Sequence, residues 1–150
     1  MNNIDTITLL NRLIVTSKNG ESTLRAAADE AHHVETKDSL LAYSRFFGDA
    51  AHELQDAVKK LGGHPAGLGT FGNTLHRTWM HLKVTALGRR EDVILDAVEV
   101  DEAEAEQRLA EAVHEETPPD IHALLERHYW SAQRHHGSIR ELRAQMHGHA

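Results

Sequence analysis

The chain has 150 residues, 40% of them apolar and only 5% aromatic, with 23 acids against 16 bases and a formal charge of −7. That length suits one domain with a sizeable core, and so few aromatics require a core of Leu, Ile, Val and Ala, which favours closely packed helices over a sheet. The acidic balance argues against nucleic acid and anionic membrane surfaces, both of which need clustered Lys and Arg, and the absence of cysteine excludes disulfides, thiolate nucleophiles and zinc–thiolate sites.

Proline occurs only at 65, 118 and 119, and glycine concentrates at 62–72. Four long stretches are left free of strong breakers, and each carries an apolar stripe in steps of three and four. Helix one is expected over about Ile4 to His33, with the stripe Ile7, Leu10, Ile14, Ser17, Glu21, Leu24, Ala28, Ala31. Gly20 is a tolerable interruption. Helix two runs from about Thr36 to Leu61 along Leu40, Tyr43, Phe47, Ala50, Leu54 and Ala57, and Gly62-Gly63 stops it.

Residues 64–89 form the connection, which places Phe71, Leu75, Trp79 and Leu82 at helical spacing and predicts a short amphipathic helix within it. Helix three runs from about Glu91 to Glu116 along Leu95, Val98, Glu102, Ala105, Leu109 and Ala112. Thr117-Pro118-Pro119 ends it, and Pro119-Asp120 starts helix four, which follows Ile121, Leu125, His128, Ala132, His135, Ile139, Leu142 and Met146. Short turns join the first and last pairs, and one long connection joins the pairs to each other. The expected fold is a single all-α domain over 1–150, a ferritin-like four-helix bundle with a long crossover.

Glu21, Glu102, His128 and His135 interrupt the apolar stripes. Ionised groups are seldom buried without partners, because desolvation costs several kcal/mol. Counting from the turns at about 1.5 Å per residue brings Glu21, Glu53, Glu99, Glu102, His135 and His136 towards one mid-bundle layer. His135 lies on the stripe; His136 is about 80° off its centre, which turns it towards the surface. Carboxylates and imidazoles on facing helices suit iron, with manganese or zinc as alternatives. The motif is partial. Helix three has Glu99-x-x-Glu102, and helix four has Gln133-x-x-His136 with an amide in place of the usual acid. The alternative is a non-enzymatic bundle whose buried polar network fixes helix register without metal. A third reading makes inward His128 and His135 a pH-responsive element. No Gly-x-Ser-x-Gly elbow or phosphate-cradling Gly-Lys-Ser/Thr loop is present.

The stretches Ser17 to Glu21, Glu53 to Gly63, Leu75 to Trp79, Ile94 to Glu102 and Arg134 to Leu142 resemble a bacterial family of ferritin-like four-helix-bundle proteins of uncharacterised function. The resemblance spans nearly the whole chain. It implies the same fold, acids or imidazole at Glu21, Glu53, Glu99, Glu102 and His136, and by analogy a part in iron or oxidative-stress handling. This chain departs from the family at Phe46, where an acid is common, and at His128 and His135, where amides are common. A cytoplasmic homo-oligomer, a dimer, is expected, because the extra amphipathic segment offers a surface for pairing, and the N-terminus lacks the pattern of a secretory signal.

Overall fold

A computed structural model of the protein describes residues 1–67 and 91–148. Four helices account for most of them: α1 (Asn3–Glu30), α2 (Val34–Lys60), α3 (Glu91–Val113) and α4 (Pro119–Gly148). No strand occurs among the described residues. The expected short helix carrying Phe71, Leu75, Trp79 and Leu82 lies outside them.

The helix ends follow from local chemistry. The Asn2 side chain accepts the backbone N–H of Asp5 at 2.8 Å and caps α1, satisfying one of the donors a helix start leaves free. Gly62 adopts φ +84°, and Gly62 and Gly63 donate back to Lys59 and Val58, each at 3.0 Å. That two-bond closure of α2 needs a left-handed residue, which glycine supplies without a Cβ penalty. Pro119 opens α4 at the first helical position, where its missing N–H costs nothing.

Cross-helix contacts fix the directions. Gly63, at the end of α2, sits against Ile7 near the start of α1. Asn11 holds the same end by donating to the His64 carbonyl at 3.2 Å and accepting from the Ala66 N–H at 2.8 Å. Glu91, the first residue of α3, accepts the N–H of His32 at the opposite end, where α1 finishes. So α2 ends at one end of the bundle, α3 begins at the other, and the two run parallel. The packed neighbours, α1 with α2, α3 with α4, α2 with α4 and α1 with α3, are all antiparallel.

The core divides in two. One cluster gathers Leu24, Ala27, Leu40, Tyr43, Phe47, Leu95, Val98 and Ile139; the other gathers Leu10, Leu13, Ile14, Leu54, Val58, Leu109, Ile121 and Leu125. Phe46 packs against both. The buried face of α1 passes through Ser17, Gly20 and Leu24, and Glu21 is only partly buried. An added Cβ at Gly20 would stand 2.8 Å from Phe47, and one at Gly48 would stand 2.2 Å from the Glu21 carboxylate. The two glycines, one on each helix, let α1 and α2 approach closely enough for a ring and an acid to lie across the seam. Gly20 is therefore part of the α1–α2 packing and not merely a tolerated break.

Candidate functional site

Where the two core clusters meet, α3 and α4 turn polar side chains into the bundle. His136, 1% exposed, lies between Ala132 and Ile139 on the buried face of α4, and its Nδ1 sits 2.5 Å from the Glu106 carboxylate of α3. A carboxylate only accepts, so the neutral ring carries its proton on Nδ1 and leaves the lone pair on Nε2. That Nε2 is buried and has no partner among the described residues. One turn away on α3, Glu102 is 1% exposed, and its Oε2 is likewise buried and unpartnered among the described residues. Burial, reinforced by the nearby charge of Asp101, pushes the Glu102 carboxyl well above the usual carboxylate range, towards its neutral form.

Tyr43 of α2 completes the group. It is fully buried, and its hydroxyl has no partner among the described residues. Burial and the neighbouring charges of Glu102 and Glu106 hold its phenol above the ordinary value. Its ring stacks on Phe47 at 5.0 Å and on His135 at 5.2 Å, and Phe46 leans on His135 at 5.4 Å. Half-buried against these rings, His135 is pushed down from the ordinary imidazole value, first by burial and then by the charge of Arg134.

The three other acids expected in this layer are engaged elsewhere. Glu21 lies over Gly48 and is 3.6 Å from both Lys18 and Arg25 of its own helix. Glu53 is 44% exposed and binds Arg127, with His128 Nε2 at 3.4 Å from its other oxygen. Glu99 is held by Arg143 at 2.6 Å and Arg140 at 3.4 Å on the α3–α4 seam. Thus Glu102 and His136 face one interior layer, His135 borders it, and Glu21, Glu53 and Glu99 are tied to basic side chains. The order of the two histidines is the reverse of the expected one. His136 is buried and His135 half-buried, because the stripe steps 132, 136, 139 and the Tyr43 and Phe46 rings fill the space beside His135. Among the described residues no group of three or more His, Asp and Glu is arranged to hold a metal ion.

Two members of the layer escape a reading of the stripes alone. Tyr43 passes there for an ordinary core residue, and Glu106 for part of the wet face of helix three. The Glu102-x-x-x-Glu106 spacing is the signal that was present, since residues four apart share a helix face. The pairs Glu99–Arg143 and Glu106–His136 follow the same antiparallel register.

The fold and this interior define an all-α four-helix bundle with a polar layer buried between apolar clusters. A model of a domain family of unknown function, DUF2383, matches residues 5–115, nearly three-quarters of the chain, and the protein belongs to that family. The matched span covers α1, α2 and α3, with Glu21, Glu53, Glu99, Glu102 and Glu106, and stops short of the histidines of α4. No curated protein matches the chain.

Proposed function

We propose that this protein binds a divalent metal ion in its polar layer, iron first with manganese or zinc as alternatives, and that Glu102 and His136 are the inner ligands. The observation that carries the reading is the His136–Glu106 pair. A metal-bound histidine characteristically gives its second ring nitrogen to a carboxylate, which fixes the tautomer and aims the free lone pair. His136 has that arrangement, with a buried and unpartnered Nε2. Glu102 offers a second buried donor atom, and a cation beside it would favour the ionised form that burial now disfavours. The connectivity supports the reading too, because ferritin-like bundles join two antiparallel pairs by one long crossover and build their metal sites between facing helices.

A complete ligand set would draw on the remaining candidates. His135 would have to turn from its aromatic neighbours, and Glu21, Glu53 or Glu99 would have to leave its basic partners. With iron bound, the site would supply ferrous-iron oxidation or peroxide removal, in keeping with iron or oxidative-stress handling. A cytoplasmic homodimer is the assembly we expect.

The test is elemental analysis of untagged protein purified without chelator, followed by anaerobic ferrous-iron titration and exposure to air. Near-stoichiometric metal, with a new absorption band on oxygenation that is absent in Glu102→Gln and His136→Gln, is the expected result. Metal retained in both variants would sink the ligand assignment. A second reading draws on the engaged states of Glu21, Glu53 and Glu99: a bundle without metal, in which the polar layer fixes helix register. It expects no bound metal in any variant, and a Glu102→Leu protein at least as stable as the parent.

A further inference from the structure

Three buried donor atoms in the polar layer have no partner among the described residues. Two are the proposed ligand atoms, Glu102 Oε2 and His136 Nε2; the third is the hydroxyl of Tyr43. The phenol shares their neighbourhood, because the charges of Glu102 and Glu106 both act on it and Glu106 is itself bonded to His136. Stacking on Phe47 and on His135 holds the ring in place. Packing alone gives no reason for the oxygen, since an unbonded buried hydroxyl carries a desolvation cost that a phenylalanine would avoid. Tyr43 also has what the other candidates for a third ligand lack. Glu21, Glu53 and Glu99 are bound to basic side chains, and His135 would have to turn from its aromatic neighbours. The Tyr43 hydroxyl has no such bond to break.

On the reading that the layer binds metal, we infer that Tyr43 is its third ligand, through the phenolate oxygen, and that the completed site holds iron in the ferric state. The Oη–iron bond forms as the phenol O–H breaks. The proton passes to bulk water, and no electron moves when the iron enters as the ferric ion. Charge selects the oxidation state. Ionised Glu102, ionised Tyr43 and the Glu106 carboxylate bring three negative charges to the layer, His136 stays neutral, and a trivalent ion cancels them. A ferrous, manganous or zinc ion would leave one negative charge uncompensated where burial penalises it. The outer charges that reach Glu102 and Tyr43, Asp101 and Arg140, are opposite in sign and leave this balance in place.

The experiment loads chelator-treated full-length parent, Tyr43→Phe and Tyr129→Phe with a single equivalent of iron as ferric citrate. Bound iron is measured by elemental analysis after desalting, and the visible and resonance Raman spectra are recorded. A ferric–phenolate bond gives an intense visible charge-transfer band, and excitation within it enhances the phenolate ring modes. The chain has two tyrosines, and the hydroxyl of the other, Tyr129, accepts from Gln133 at 2.8 Å, so Tyr129→Phe is the control. Stoichiometric iron with the band and the ring modes is expected in the parent and in Tyr129→Phe. Tyr43→Phe, which keeps the stacked ring, should lose both spectral features. Gallium(III), which is redox-silent, should give an ultraviolet phenolate difference spectrum in the parent, and zinc should give none.

Iron bound to the parent without the band, or a band that survives in Tyr43→Phe, would overturn Tyr43 as a ligand and leave Glu102 and His136 standing. A phenolate signal with zinc would overturn the preference for a trivalent ion. A parent that takes up neither ferric, gallium nor ferrous ion would overturn the metal reading together with this one. Should Tyr43→Phe fail to fold, Tyr129→Phe grown on ring-deuterated tyrosine decides, because Tyr43 is then the sole tyrosine: ring modes that do not shift on deuteration would overturn the assignment.

Discussion

Glu102 shows how a single buried acid shapes the molecule. Its carboxyl is pushed towards neutrality by burial and by Asp101. For an acid with a raised folded pKa, stability is fully present below the unfolded value of about 4.3 and is lost as pH rises towards the folded value. Replacing the acid by its neutral isostere removes that loss. Glu102→Gln should therefore be more stable than the parent in chelator-treated protein, by a margin that is larger at pH 8 than at pH 5. Urea unfolding at the two pH values measures it; a gap that closes as pH rises would refute the argument. If metal binds, the order reverses in loaded protein, because the variant loses a ligand. Glu106 predicts a different pattern. Glu106→Leu leaves the His136 Nδ1–H buried without an acceptor and should cost about 1–3 kcal/mol, whereas Glu106→Gln keeps an acceptor oxygen and should cost less. Equal losses in the two variants would mean that Glu106 acts through packing.

At the scale of the element, the α1–α2 seam rests on two glycines with different surroundings. Gly20→Ala sets a methyl 2.8 Å from the Phe47 ring, which the core holds in place. Overpacking of this kind costs about 1–3 kcal/mol, against about 1 kcal/mol gained in helix propensity. The net expectation is a lower melting temperature. Gly48→Ala meets only the end of the flexible Glu21 side chain, which can swing away, so it should be neutral or stabilising. A thermal melt of each variant decides, and a Gly20→Ala protein as stable as the parent would show that the helices can separate at little cost. The same seam explains what the apolar pattern could and could not disclose. The stripes of α1 to α4 were readable because leucine, isoleucine and alanine recur at helical spacing, and the ends were readable from Gly62, Pro118 and Pro119. The stripe alone did not show that α1 turns on Gly20 in place of Glu21, since that choice depends on the Phe47 ring of another helix. Nor did it show His136 as the buried member of the His135-His136 pair. Both fit a three-and-four spacing on α4, and the Tyr43 and Phe46 rings together with Glu106 select between them.

At the scale of the whole molecule, the family boundary and the physical boundary differ. The match to the family ends at residue 115, before α4 begins. Yet α4 enters both halves of the core, with Ile139 in one cluster and Ile121, Leu125 and Ala132 in the other, and it supplies His128 and His136 to the buried polar groups. Without α4, Leu54, Leu95 and Leu109, all buried to within a few per cent, would lose the partners that close the core around them. Glu106 would lose His136, and Glu99 would lose both arginines that hold it. At about 25 cal/mol per Å² of apolar surface returned to water, exposure of roughly 200–600 Å² from the two clusters is enough to cancel the roughly 5–15 kcal/mol that separates a folded domain from its unfolded chain. A protein truncated after Thr117 should therefore show no cooperative melt and should aggregate or expose apolar surface to a dye such as ANS. The separately made 118–150 segment, added in excess, should restore a sharp transition. A truncated chain that melts cooperatively by itself would mean that three helices suffice and that α4 is an appendage to the fold, which would also leave the histidine half of the polar layer without a structural reason for its place in the core.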